Sequence, residues 1–97
     1  MFNDTFSGAA PRPTVERYVY EVPSDNNPRQ SYRVDLVANG GGGACSCADF
    51  AARRQPELDL GAEILTRATT CKHTRKAFDH FAREMMRALA RVESENQ

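Results

Sequence analysis

Two short pairs constrain this chain more than anything else in it: Cys45-Ser46-Cys47 and Cys71-Lys72-His73. They hold all three cysteines and one of the two histidines, and residues 48–70 separate them. Three thiolates and one imidazole make a complete tetrahedral donor set for a structural zinc ion. The one-residue gaps differ from the Cys-x-x-Cys spacing of most zinc modules. An extended backbone turns positions i and i+2 to the same side, so Cys45 and Cys47 can share one ion. In a helix those positions point apart, which predicts Cys71 at or just before a helix start and His73 in its first turn. Thr69 or Thr70 is the expected N-cap.

The bland use of such residues is packing, because free cysteine is among the most buried residue types. The matched gaps, with no cysteine left over, favour the metal. Three cysteines do not close a disulfide framework, and in a reducing compartment metal binding is the use that remains. Four protein ligands leave no open coordination position, so the site reads as closed and structural, and the chain as no enzyme. His80, nearly two turns beyond His73, reads as a surface residue rather than a ligand.

Ninety-seven residues allow one domain, small enough to need a staple such as a metal. The formal net charge is zero. Zinc held by three thiolates adds about −1, so nothing in the overall charge supports a nucleic-acid partner and only a local patch could. No apolar run approaches the ~20 residues of a membrane span. Met1–Ala10 has neither the basic start nor the apolar centre of a signal peptide, so a cytoplasmic location is expected.

Along the chain, residues 1–13 read as a flexible arm, including Phe2 and Phe6, residues 14–92 as the zinc-binding domain and residues 93–97 as a flexible tail. Residues 14–22 read as a strand with Tyr18, Tyr20 and Val22 on one face; residues 31–37 read as a second, with Tyr32, Val34 and Leu36 on one face. The polar, proline-bearing link between them makes an antiparallel hairpin. On its outer face Arg17 and Arg33 are expected to pair with Glu21 and Asp35. The four glycines 40–43 lack the Gly-Lys-Ser/Thr ending of a phosphate-binding loop and read as a flexible turn leading into the first ligand pair. Residues 48–55 suggest a short helix with Phe50 inward and Pro56 ending it, followed by loop at 56–61; residues 62–70 fit no period. From residue 72 to 92 an apolar stripe of Phe78, Phe81, Ala82, Met85, Leu89 and Val92 predicts a long helix whose apolar face covers the hairpin. The fold class is therefore α+β: a hairpin packed on a C-terminal helix, a ββα-type zinc-binding module.

Cys45-Ser46-Cys47 followed by Ala48-Asp49-Phe50, then Cys71-Lys72-His73 opening a helix, resembles the SWIM-type zinc finger, whose pattern is Cys-x-Cys, a variable spacer, then Cys-x-His. The strand Tyr32-Arg33-Val34-Asp35-Leu36 is similar to the one that precedes the first pair in that family. The resemblance covers about residues 15–90 and implies a small stand-alone member with one structural zinc. The family is tied to DNA transactions, transposition, recombination and ubiquitin transfer, through DNA or protein contacts. The spacer here is near the long end for the family, and the module is expected to stand alone, without the helicase, transposase or ligase domain of larger members.

The helix start is unusual. Helix N-termini favour acidic side chains, yet Lys72, His73, Arg75 and Lys76 precede the first acid, Asp79. A negatively charged zinc–thiolate cluster, or a bound phosphate, offsets those cations. At 100° per residue Lys72, Lys76, His80, Arg83, Arg87 and Arg91 form one stripe opposite the apolar face. With Arg75, these basic residues are the candidate surface for nucleic acid or an acidic protein partner. The ordinary reading of the stripe is a solvated helix face, flanked by Asp79, Glu84 and Glu93.

Overall fold

The computed structural model describes residues 10–27 and 29–95. Phe2, Phe6 and the rest of 1–9, together with residues 96–97 of the expected tail, lie outside the described residues. Four strands, β1 (Arg12–Pro13), β2 (Val19–Pro23), β3 (Ser31–Asp35) and β4 (Ala44–Cys45), form one antiparallel sheet in that order. A single turn α1 (Ala38–Gly41) joins β3 to β4. A π-helical turn at Phe50–Arg54 runs into α2 (Gln55–Asp59), and α3 (Lys72–Glu95) ends the described chain. The fold is α+β.

The hairpin registers as its alternation requires. Tyr20 pairs with Val34 and Val22 with Tyr32, so one face of β2 and β3 is apolar throughout. Val22 and Val34 are fully buried, and Leu36, Cys45, Cys47, Phe50, Cys71 and Ala77 complete the core around them. Each buried valine contributes about 1.5–3 kcal/mol.

Several boundaries differ from the sequence expectation. The first strand begins at Val19 rather than at residue 14, because Tyr18 takes a left-handed φ of 66° that ends the extended run. Tyr18 is mostly out of the core and meets Phe81 edge to face at 5.6 Å. Arg12 and Pro13, expected in the arm, instead pair with Glu21 and Tyr20 at the sheet edge. Arg33 bonds Glu16 at 2.5 Å, not a carboxylate across the strands, and Glu21 takes Arg12 at 3.4 Å. Pro56 does not end the helix before it. A π turn, in which Gln55 N–H reaches back to the Phe50 carbonyl, brings the chain to Pro56 within the first turn of α2, where its missing N–H costs nothing. Residues 93–95, expected in the tail, are the last turn of α3.

The glycine run is a packing device as much as a turn. Gly43 has φ +85°, and a Cβ there would lie 2.9 Å from the Phe78 ring; one on Gly42 would lie 2.8 Å from Ile64. Only a residue without a side chain lets β4 approach α3 this closely.

The larger correction concerns α3. Its first turns cover the sheet, burying His73, Thr74, Lys76 and Ala77, with Phe78 and Phe81 packed at the margin. Beyond Ala82 the helix runs past the sheet. Met85, Leu89 and Val92, expected over the hairpin, are about half exposed, because the sheet is too short to reach them. No helix among the described residues is long and apolar enough to cross a membrane.

Candidate metal centre

β4 is short, but its ladder with β3 is extended by Ser46: Ser46 N–H donates to the Arg33 carbonyl at 3.0 Å, and Arg33 N–H donates to Ser46 Oγ at 3.0 Å. That keeps the backbone extended through the first pair, with Ser46 exposed and Cys45 and Cys47 buried on either side of it. The chain then turns at once, and Phe50 N–H donates to Cys47 Sγ at 3.4 Å.

The second pair is built on the helix start. Cys71 directly precedes α3, and its Sγ accepts from Thr74 N–H at 3.5 Å and from Thr74 Oγ1 at 3.6 Å. Cys71 is thus the capping residue. Thr69 and Thr70, expected to cap, turn the other way: Thr69 Oγ1 donates to the Glu63 carbonyl at 2.9 Å and Thr70 Oγ1 to the Thr66 carbonyl at 2.6 Å. Both threonines are fully buried and knit the end of the 48–70 spacer.

Cys45, Cys47, Cys71 and His73 come together, all buried, with their ligand atoms within 4.8 Å of one another. His73 Nδ1 lies 3.7 Å from Cys45 Sγ and 3.9 Å from Cys71 Sγ. A tetrahedral zinc with Zn–S of about 2.3 Å and Zn–N of about 2.0–2.1 Å separates its ligand atoms by roughly 3.6–3.8 Å. The donor set and its spacing fit one metal ion. Tyr32, which the sequence reading placed only in the sheet face, lies against the His73 ring with centroids 4.4 Å apart and fixes its orientation. His73 Nε2 is buried without a hydrogen-bond partner among the described residues.

The thiols are not equivalent. The Cys45 S–H bond to Cys71, with help from the His73 ring and Thr74 and against burial, draws the Cys71 thiol down to about 3. The same bond, together with burial and the Cys71 charge, holds Cys45 far above the range of a free thiol. Burial raises Cys47, partly offset by the Phe50 N–H. One thiolate is therefore tolerated here by hydrogen bonding alone. Ionising the other two takes a cation, and a divalent metal supplies it.

No family model, curated protein or solved structure matches the chain.

The basic residues do not form the track that their spacing suggests. Lys76 is 8 % exposed, not on a solvated face. It lies 3.6 Å from Asp25 Oδ1, and Lys72 lies 3.5 Å from Asp25 Oδ2. Asp25, in the link between β2 and β3, supplies the carboxylate that the helix start lacks in its own sequence. No local pattern announces that contact. His80 is half-buried edge-on to Tyr20 at 5.7 Å, rather than on the surface. Arg83 pairs with Asp79 at 3.0 Å and Arg87 with Glu84, while Arg91 is exposed. Arg75 Nε donates to the Cys71 carbonyl at 3.4 Å.

A cavity of about 370 Å³ opens beside the metal centre, lined by Cys47, Cys71 and His73 together with Tyr32, Ala48, Asp49, Arg54, Lys72 and Arg75. Arg54 is the cation here that the sequence reading missed. It bonds Asp49 at 3.1 Å and the Arg67 carbonyl at 2.9 Å, which fixes the spacer against the site.

Proposed function

We propose that this chain is a small zinc-stabilised binding module of the SWIM type, acting in the cytoplasm. The convergence of Cys45, Cys47, Cys71 and His73 within 4.8 Å carries the reading. In it the zinc is structural: the three thiols and the imidazole are all consumed as ligands, and the module works by binding rather than by catalysis. Structural zinc binding is largely folding free energy, about 10–16 kcal/mol in small modules, which is comparable with the whole stability of a domain this size. Elemental analysis is expected to give one zinc per chain, and chelation to abolish the helical circular dichroism. A chelated chain with unchanged dichroism and melting sinks the reading.

The partner favoured is nucleic acid. Arg54, Lys72 and Arg75 meet Tyr32 around one cavity, which supports a phosphate contact with an aromatic ring beside it. Titration of the zinc-loaded chain with labelled DNA and RNA, at low and high salt, tests this. Binding that weakens steeply with salt supports it, because phosphate contacts release counterions. The second reading is a protein-binding adaptor or small regulator of a larger complex. The exposed Met85, Met86, Leu89 and Val92 favour it, and no nucleic-acid binding even at low salt would select it.

A further inference from the structure

One dipeptide carries a reactive chemistry that neither the metal nor a partner uses. Asn39 is followed by Gly40, the sole Asn-Gly pair in the sequence. In such a pair the backbone nitrogen of the second residue can attack the asparagine Cγ, and a glycine, having no Cβ, leaves that approach open. The fold holds this asparagine shut. Asn39 Nδ2 donates to the Gly43 carbonyl at 3.0 Å and to Gln55 Oε1 at 3.0 Å, and Asn39 Oδ1 accepts from Gln55 Nε2 at 3.1 Å. Both amide hydrogens and the amide oxygen are thus engaged. Gly40, by contrast, is exposed with open space around it.

We propose that Asn39 is a deamidation site that the native fold keeps closed and unfolding opens, and that its modification prevents the chain from rebuilding the metal centre. In the reaction the Gly40 nitrogen bonds to Asn39 Cγ, the Cγ–Nδ2 bond breaks, and the amide nitrogen leaves as ammonia with the Gly40 proton. Water then opens the cyclic imide at either carbonyl and gives aspartate or isoaspartate. The step needs no oxidant and no enzyme. In the fold, bringing Cγ onto the Gly40 nitrogen breaks the bonds to Gly43 and Gln55. In the unfolded chain nothing holds it back.

The product does not fit the site. A carboxylate has no hydrogen to donate, so its oxygens would face the Gly43 carbonyl and Gln55 Oε1. Turning Gln55 over only moves the conflict, because Gln55 Nε2 also donates to Asp59 Oδ1 at 2.8 Å. Isoaspartate lengthens the backbone of a turn in which Gly42 and Gly43 already press on Ile64 and Phe78. Gly43 leads directly into β4, which ends on Cys45. Misplacing that turn therefore misplaces the first ligand pair. This consequence rests on the reading of Cys45, Cys47, Cys71 and His73 as a zinc centre; the deamidation itself does not.

The full chain is incubated zinc-loaded, chelated, and denatured in guanidinium, and residue 39 is followed by peptide mass spectrometry. Conversion is expected to be more than about tenfold slower in the zinc-loaded chain than in the denatured one, because it must pass through an opened form. Gln55→Ala, with zinc bound and its helical dichroism intact, is expected to convert several-fold faster than the native zinc-loaded chain. Equal rates in the folded and denatured chains overturn the proposal, as does a Gln55→Ala chain that converts no faster. Asn39→Asp is expected to bind zinc several-fold more weakly in competition with a chromogenic chelator, and native affinity in that variant overturns the block on the metal centre. A chelated chain that keeps its helical dichroism counts against the zinc reading alone, and the denatured sample still decides the deamidation.

Discussion

Cys71 Sγ accepts the backbone N–H of Thr74 at 3.5 Å, so one side chain both faces the metal centre and caps the helix that carries the fourth ligand. The two roles are separable by chemistry. Cys71→Ser keeps an oxygen that caps well and loses the soft sulfur ligand; Cys71→Ala loses both. Both variants are expected to bind zinc far more weakly than the native chain. The serine variant should be more stable than the alanine variant by about 1 kcal/mol, the value of an N-cap, as read by denaturant titration at saturating zinc.

Acid should unfold the zinc-loaded chain by releasing its metal. The Cys71 thiol falls from an ordinary 9.0 to about 3 in the fold. Its contribution to stability is complete above the unfolded value and is lost as pH falls toward the folded one. Cys45 and Cys47 shift upward, so without metal their contributions are complete below 9.0 and are lost as pH rises. Bound metal ionises all three and turns every contribution in the first direction. The melting temperature of the zinc-loaded chain is therefore expected to drop steeply between about pH 8 and pH 5, whereas the metal-free chain, already unfolded, shows no cooperative melt at either end of that range. Thermal melts across this range, with and without zinc, check it.

Asp25 answers for two lysines, Lys72 and Lys76, and Lys76 is buried. Asp25→Ala is expected to cost about 1–3 kcal/mol, because it removes a carboxylate from beside a buried ammonium. Arg83→Ala, which removes an exposed pair with Asp79, should cost less than about 1 kcal/mol. Equal losses in denaturant melts of the two variants would contradict the role given to Asp25.

Gly43 combines a positive φ with close approach to Phe78. Gly43→Ala should destabilise by about 2–4 kcal/mol through strain and overpacking together. Gly40, at φ +68° with open space around it, should lose only about 1 kcal/mol as Gly40→Ala. Thermal melts of the two variants compare them directly.

Much of the architecture is legible in local pattern. Period-two alternation marked the β2–β3 hairpin face, and helical spacing marked a long helix from Lys72. The four residues of the metal centre are readable for the same reason: metal chemistry admits few donor types, and two one-residue gaps single them out from ninety-seven positions. The missed features are contacts between residues far apart in sequence. Asp25 meeting Lys76, Tyr32 lying on His73 and Arg54 reaching the Arg67 carbonyl leave no trace in spacing. The apolar stripe of α3 shows the same division. Its period dictates one apolar face, but how much of that face is covered depends on the length of the sheet beneath it. Sequence alone determined which side chains could hold a metal and which could line a helix face. The tertiary structure decided which cations are neutralised and which apolar side chains stay in water, because burial and pairing depend on what the fold brings into contact.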